Sequence, residues 1–182
     1  MTMYNLRSRL NIVMTHTMAV MGVCAFLMAA STVVTDLVMP PVPTGTIKPQ
    51  LTRLGQAEIG SVRFNNRRLI DRTVIFVEGQ ADFTPCFSWN TKQLFVFVVL
   101  EYTTKRMKRN QMTIYDHIIE KKTDGILEFP RVAEYYLDDI QSDSLKGTEV
   151  TMKLMYHTMT YSGYAPIREV ESARTTFTLQ DE

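Results

Sequence analysis

The feature of this sequence that most constrains its fold is an uncharged, apolar stretch near the N-terminus. Residues 11–35 contain no Asp, Glu, Lys or Arg, and residues 18–30 are an unbroken run of Met, Ala, Val, Gly, Cys, Phe and Leu. A helix of about 20 apolar residues can span a bilayer, because its backbone groups are satisfied within the segment. The sequence therefore predicts one transmembrane α-helix over 12–35, preceded by a short N-terminal segment over 1–11.

Two interpretations of this segment stay open, a retained signal anchor and a cleaved secretory signal peptide. The small residues Ala29, Ala30 and Ser31 are typical of a cleavage junction. The apolar run continues through Val33 and Val34, however, and exceeds the roughly 7–15 residues of a signal-peptide core. We favour the retained anchor; cleavage would instead leave a secreted or surface β-sandwich that binds a ligand.

The charges around the span predict its orientation. Arg7 and Arg9 precede the apolar stretch and Asp36 is the first charge after it. Lys and Arg close to a span favour the cytoplasmic side, so we expect a cytoplasmic N-terminus and a non-cytosolic C-terminal domain. Small residues in the span could pack against partner helices; these are Gly22, Ala25, Ala29 and Ala30.

The rest of the chain is predicted to form an extended Pro-rich linker over 36–56 and an all-β domain over 57–182. Apolar residues alternate with polar ones in three segments, which predicts one-faced antiparallel strands; the segments are 77–83, 150–156 and 173–179. A strand is also expected near 59–64. An antiparallel β-sandwich of about six or seven strands is the simplest architecture.

One strand is expected to differ from the others. The continuous apolar run over 94–100 favours a central strand covered on both faces. The polar segment 105–110 follows it and precedes residues 111–120, so the two strands should form a long hairpin.

The sequence offers no catalytic or metal-binding pattern. Its three histidines, His16, His117 and His157, lie in the apolar stretch or in strand-like segments, without a nucleophile motif beside them. We therefore expect no enzyme activity, no cofactor and no metal site. A net charge of +1 argues against nucleic-acid binding. Cys86 cannot pair with Cys24, which lies in the predicted span, and should be buried and free.

An aromatic cluster leads into the central strand. It comprises Phe83, Phe87, Trp89, Asn90, Lys92, Gln93 and Phe95. We interpret it as a corner of the core, in which Trp89 packs, Asn90 turns the chain and the strand begins. An interface role for Phe87 and Trp89 is the less favoured alternative.

Residues 81–83 and 87–95, followed by Glu101-Tyr102-Thr103-Thr104, closely resemble the family of signal peptidase complex subunit 3, a non-catalytic subunit of the endoplasmic reticulum. Further matches follow in the family's order, at Asn110-Gln111, at 115–119, at 135–139 and at Leu145-Lys146-Gly147. The resemblance covers the anchor and most of the C-terminal domain. It is weakest in the linker and after Gly163.

The resemblance implies a single-pass type II protein of the endoplasmic reticulum membrane with a lumenal β-rich domain. It also implies a hetero-oligomer, in which this chain would stabilise and position the serine protease subunit that removes signal peptides. The expected partners are therefore the catalytic subunit, the other subunits of the complex and the lipid bilayer. No nucleic acid is expected among them.

Overall fold

The computed structural model describes residues 5–51, 55–59, 68–104, 107–139 and 145–179. Helix α1 runs from Leu6 to Val38, and none of its 33 residues is buried. It is long and apolar enough to cross a membrane. The predicted single anchor helix is confirmed, although it begins before residue 12 and ends after residue 35. It stops immediately before Met39-Pro40, because the residue preceding a proline disfavours the helical conformation.

Ten strands follow the helix within the described residues. They are β1 (Thr44–Leu51), β2 (Gly55–Ile59), β3 (Arg68–Thr73), β4 (Ile75–Asp82), β5 (Thr91–Tyr102), β6 (Asn110–Ile119), β7 (Ile126–Val132), β8 (Leu137–Asp139), β9 (Glu149–Thr160) and β10 (Ile167–Thr178). Two short 3-10 turns, Thr84–Cys86 and Lys122–Asp124, are the helical elements described in this part of the chain.

The strands form three antiparallel sheets. The largest has the order β10-β9-β5-β6, a second has the order β1-β4-β7, and a third has the order β2-β3-β8. The long β5–β6 hairpin is present as predicted, with Tyr102 opposite Asn110. Strand β5 is central, since it pairs with β6 on one side and β9 on the other.

The four-stranded sheet and the β1-β4-β7 sheet enclose one hydrophobic core, which confirms the predicted β-sandwich. The alternation predicted for β9 is present: its core-facing side chains are Val150, Met152, Leu154 and Tyr156. Strand β4 supplies Val77 and Ala81 to the same cluster. At one edge the sheets are joined directly, where the Thr175 hydroxyl donates to the Ile47 carbonyl at 3.1 Å.

The central strand differs from expectation on one face. Leu94, Val96, Val98 and Leu100 are fully buried, but the alternate residues Phe95, Phe97 and Val99 are only partly covered. The described elements pack on one side of this sheet, so its other face remains accessible although residues 94–100 of β5 are all apolar.

The segment predicted as a linker over 36–56 is largely structured. Residues 36–38 complete the helix, and β1 pairs with β4 along its whole length, from Thr44 opposite Asp82 to Leu51 opposite Ile75. Pro49 is accommodated because β1 lies at the edge of its sheet, where a missing N–H is tolerated. The β domain thus begins at Thr44 rather than at residue 57. The strand expected near 59–64 overlaps β2 only at Ile59, and residues 60–67 lie outside the described ranges.

Candidate functional site

The last turns of helix α1 bind directly to the β domain through charged and polar side chains. The Arg168 guanidinium forms an ion pair with the Asp36 carboxylate, and both side chains are mostly buried. The Tyr164 hydroxyl donates a second hydrogen bond to the same carboxylate oxygen at 3.0 Å. The ion pair with Asp36 also raises the pKa of Arg168. This cluster is a built connection between the anchor and strand β10.

A second connection lies one helical turn earlier in α1. The side-chain amide of Asn90 donates to the Thr32 hydroxyl at 2.6 Å and to the Ser162 hydroxyl at 3.0 Å. Asn90 is 2% exposed, and its backbone carbonyl accepts the backbone N–H of Tyr161 at 3.0 Å. Asn90 therefore ties the β5 entry loop, the β9–β10 turn and the helix to one another.

The loop that presents Asn90 is ordered by local hydrogen bonds. The Asp82 carboxylate accepts the backbone N–H of Thr84 at 2.8 Å, an arrangement typical of turn initiation. Pro85 then lies in the first turn of the 3-10 segment, where its fixed φ is compatible with the helix. The Thr91 hydroxyl donates to the Cys86 carbonyl at 3.1 Å and accepts the Ser88 N–H at 3.0 Å.

Below this loop lies a buried polar corner of the core. Cys86 is buried and free, as predicted, and burial raises the pKa of its thiol to about 12. Burial likewise raises the pKa of the Tyr156 hydroxyl to about 12, and this hydroxyl donates to the Pro41 carbonyl at 3.3 Å. Cys86 therefore contributes to the packing of this corner as a small buried side chain.

A cavity of about 120 Å³ separates the helix end from this corner, lined by Thr35, Met39, Trp89 and Thr158 among others. Three buried side-chain atoms of the described residues lack a hydrogen-bond partner, and all belong to this region: Asn90 Oδ1, Thr158 Oγ1 and Arg168 Nη1. Buried polar atoms beside a cavity are typical of a hydrated junction rather than of a dry core.

The two outer faces of the sandwich differ in chemistry. The β1-β4-β7 sheet exposes polar side chains: Thr46, Lys48, Glu78, Gln80 and Glu128. The four-stranded sheet instead presents what we call the apolar sheet face, defined by Phe95, Phe97, Ile118, Met155, Met159 and Ile167. The Phe95 and Phe97 rings stack with centroids 5.3 Å apart. Ile118 is 49% exposed and Ile167 is 58% exposed.

A charged cluster borders the apolar sheet face. Lys153 Nζ lies 2.5 Å from Glu101 Oε2 and 3.9 Å from Glu169 Oε2. The hydrogen bond from Lys153 holds the pKa of the Glu101 carboxyl below its usual range. The stem of Lys153 is itself buried, so this charge is held in place rather than freely solvated.

The structure separates the residues of the predicted aromatic cluster. Phe83 is buried, whereas Phe87 and Tyr102 are partly buried and pack against the core. Gln93, Phe95 and Glu101 lie on the outer side of β5, and Lys92 is exposed. The preferred interpretation of Trp89 was wrong: it is 68% exposed. The turn before β5 directs Asn90 inwards and leaves the tryptophan on the surface.

The predicted residues of the span lie along the helix. Arg7, Arg9, Gly22 and Ala25 are exposed, and Ala29 and Ala30 are partly covered. Their expected roles in orientation and helix packing stay predictions. Sequence analysis missed the junction residues Tyr164, Arg168, Thr32 and Ser162. Asp36 offered one usable signal, because it is the first charge after the apolar stretch.

The histidines are not brought together. His117 is exposed on β6, and the His157 ring Nε2 lies 2.9 Å from the Ala165 carbonyl oxygen. Within the described ranges, no group of three or more His, Cys, Asp or Glu side chains is placed to hold a metal ion.

The fold and the junction define a class of protein: a β-sandwich domain joined by side-chain hydrogen bonds and an ion pair to the end of one N-terminal anchor helix. The particular family follows from sequence comparison, since the family described as "Signal peptidase subunit" matches residues 3–182. The chain belongs to the signal peptidase subunit family.

Similar proteins come from animals, amoebae and fungi. The chain is 30% identical to "Signal peptidase complex subunit 3" of Caenorhabditis elegans over 178 residues, covering 94% of this chain and 91% of that protein. The protein of the same name from Dictyostelium discoideum is 30% identical over 115 residues, covering 63% and 67% of the two chains. That of Saccharomyces cerevisiae is 31% identical over 83 residues, covering 45% of each chain.

Proposed function

We propose that this chain is a non-catalytic subunit of the endoplasmic reticulum signal peptidase complex. Its helix anchors it in the membrane with the N-terminus in the cytoplasm, and its β domain stabilises and positions the catalytic serine protease subunit in the lumen. Family membership and the names of its relatives support the complex as the setting. Arg7 and Arg9 before the span support the orientation.

One structural observation supports the role in binding another subunit: the contrast between the two sheet faces. The outer face of an antiparallel sheet ordinarily carries polar side chains, and the β1-β4-β7 sheet follows this rule apart from the exposed Ile126. The outer side of the four-stranded sheet, whose strands are the longest in the domain, departs from this rule. There the apolar sheet face lies among only a few polar neighbours, with Asp116 opposite Phe97 and His157 opposite Phe95. Contiguous exposed apolar surface bordered by charges marks a protein-binding site.

We therefore assign the apolar sheet face to another subunit of the complex. Phe95 and Phe97 form a stacked aromatic pair at its centre, where aromatic side chains contribute most binding energy. The Glu101–Lys153 pair lies at one border and would restrict the partner's orientation by charge. The junction with α1 holds this face at a defined position relative to the membrane.

Two exposed isoleucines allow a matched test of this proposal. Ile118 lies on the apolar sheet face and is 49% exposed, whereas Ile126 lies on the β1-β4-β7 sheet and is 57% exposed. The full chain, tagged at its C-terminus, would be recovered from microsomes in mild detergent as wild type, Ile118→Glu or Ile126→Glu. Co-purifying proteins would be quantified by mass spectrometry.

We expect the wild type and Ile126→Glu to recover a membrane serine protease with its companion subunits. Ile118→Glu should recover at least about tenfold less, because a buried charge in an apolar interface costs more than about 1.4 kcal/mol. Equal thermal unfolding of the two variants would confirm that both are folded. Equal recovery by both variants would refute the assigned face, and recovery of the wild-type chain alone would refute the complex.

A further inference from the structure

Two exposed aromatic residues lie beside the end of the anchor helix. Trp89 and Tyr161 are each 68% exposed, and both flank Asn90: Trp89 precedes it in sequence, and Tyr161 donates its backbone N–H to the Asn90 carbonyl at 3.0 Å. We call Trp89 and Tyr161 the aromatic rim. It is separate from the apolar sheet face, which lies on the outer side of the four-stranded sheet.

The height of the aromatic rim along the helix follows from two observations. The uncharged stretch 11–35 is centred near residue 23, and a hydrocarbon core about 30 Å thick takes about 20 helical residues. The core boundary on the domain side therefore falls close to residue 33. The 2.6 Å bond from Asn90 to the Thr32 hydroxyl places Asn90, and with it the rim, at this boundary.

We propose that the aromatic rim inserts into the headgroup layer of the phospholipid leaflet that faces the β domain. Trp and Tyr concentrate at this depth because their rings are apolar at one end and polar at the other. The exposed Lys92, three residues after Trp89, can extend its ammonium group to lipid phosphate. The rim and the helix together fix the tilt of the domain on the membrane.

This inference is independent of the proposed function. The contact involves lipid and requires only that α1 spans a membrane, so it would hold for the isolated chain. The continuity between the rim and the span distinguishes lipid from a protein partner: a surface hydrogen-bonded to a residue at the bilayer boundary is surrounded by headgroups as soon as the helix is inserted.

Trp89 is the only tryptophan in the chain, so its fluorescence reports on this site alone. The full chain would be reconstituted in phosphatidylcholine vesicles, with or without phosphatidylcholine brominated near the top of the acyl chains. A matched control is the double variant W89F/M107W. It moves the single tryptophan to half-exposed Met107, beyond the far end of β5, about 35 Å along the strand.

We expect the brominated lipid to quench Trp89 at least about threefold more strongly than the tryptophan of W89F/M107W, with Trp89 also better shielded from aqueous acrylamide. Equal bromolipid quenching at the two positions would overturn the proposal. Shielding of Trp89 from acrylamide without bromolipid quenching would also overturn it, because it would assign the rim to a protein contact. Matching thermal unfolding curves establish that the control chain is folded.

Discussion

Gly79 lies at a bulge in strand β4, where the register with β7 shifts between Val77 and Gly79. Its φ is 153°, and a Cβ built there would overlap the Thr46 carbonyl oxygen of the paired strand β1. The obstacle is the backbone of β1 at Thr46 and Ile47, so no change of side-chain rotamer can relieve it. The bulge therefore requires glycine.

Gly79→Ala should lower the free energy of unfolding by about 2–4 kcal/mol, because the new methyl group must separate β1 from β4. Thermal unfolding in detergent, followed by circular dichroism, measures this loss. Gly147→Ala is the matched control: Gly147 has a φ of 74° but no atom within 4 Å of its Cβ position, so only the backbone cost of about 1 kcal/mol should appear. Equal destabilisation by the two substitutions would show that β1 and β4 are not packed as described.

Trp89 and Asn90 show how far a single position can be predicted. Composition favours burial of a lone tryptophan beside phenylalanines and exposure of an asparagine in a turn, yet the structure has Trp89 outside and Asn90 buried. The Asn90 amide is buried because two hydroxyl groups, Thr32 and Ser162, accept its protons. Those acceptors are 58 and 72 residues away in sequence, and no local pattern indicates them.

At the scale of elements, the Asp36–Arg168 pair joins helix α1 to strand β10. Replacing Asp36 or Arg168 by Ala should each destabilise the full chain by about 1–2 kcal/mol, since each change leaves a mostly buried partner charge. The double variant should lose about 1 kcal/mol less than the sum of the single losses. Thermal unfolding of the four proteins in detergent gives this coupling energy.

The more exposed pair Arg174–Glu169, with an N–O distance of 3.6 Å, serves as the comparison. Its coupling energy should fall below about 0.5 kcal/mol, because solvent screens an exposed ion pair. If the Asp36–Arg168 losses added without coupling, the anchor would be a tether rather than part of the folded unit. The proposed positioning of the apolar sheet face would then lose its basis.

Elements differ in how much of them the sequence predicts. In strand β9, buried residues alternate with partly covered ones over Val150–Tyr156 except at Lys153, which is also buried. The sequence predicts this strand from its alternation of apolar residues. Strand β1 was assigned to a linker because Pro40, Pro41, Pro43 and Pro49 suggest an unpaired extended chain. It becomes a strand because β4 offers a free edge, which a local pattern does not reveal.

At the scale of the whole molecule, the orientation in the membrane depends on Arg7 and Arg9. The chain has no Asn-x-Ser/Thr acceptor, and Glu149→Asn creates one at exposed position 149 with Thr151. We expect this variant to be glycosylated in microsomes. Adding Arg7→Glu and Arg9→Glu to it should reduce the glycosylated fraction, because positive charges favour the cytoplasmic side. The gel shift before and after endoglycosidase treatment measures the fraction.

The control carries the same charge change within the β domain, Lys108→Glu with Arg109→Glu, at residues that are exposed beyond β5. Its glycosylated fraction should equal that of Glu149→Asn alone. An unglycosylated Glu149→Asn chain that resists protease in intact microsomes, and is digested once they are opened, would retain the lumenal assignment. An unglycosylated chain digested in intact microsomes would reverse it.

The sequence by itself determined the parts of this protein that depend on local composition and periodicity. The uncharged stretch 11–35 is sufficient to predict a helix that can cross a membrane, because a bilayer requires length and apolarity. Alternating apolar residues specify strands and a sandwich, because period two places one side of each strand in a core. The motif over 87–95 was sufficient to indicate the family.

Only the tertiary structure decided which surfaces are available for contact. Asp36 meets Arg168 across 132 residues of sequence. Phe95 gains Ile118 and His157 as neighbours through strand register. Trp89 faces outward beside the C-terminal end of α1. Each depends on which distant segments become neighbours when the core closes. Long-range pairing of this kind is a property of the assembled sheets, because the preference of a short segment for core or surface depends on the neighbours with which it pairs.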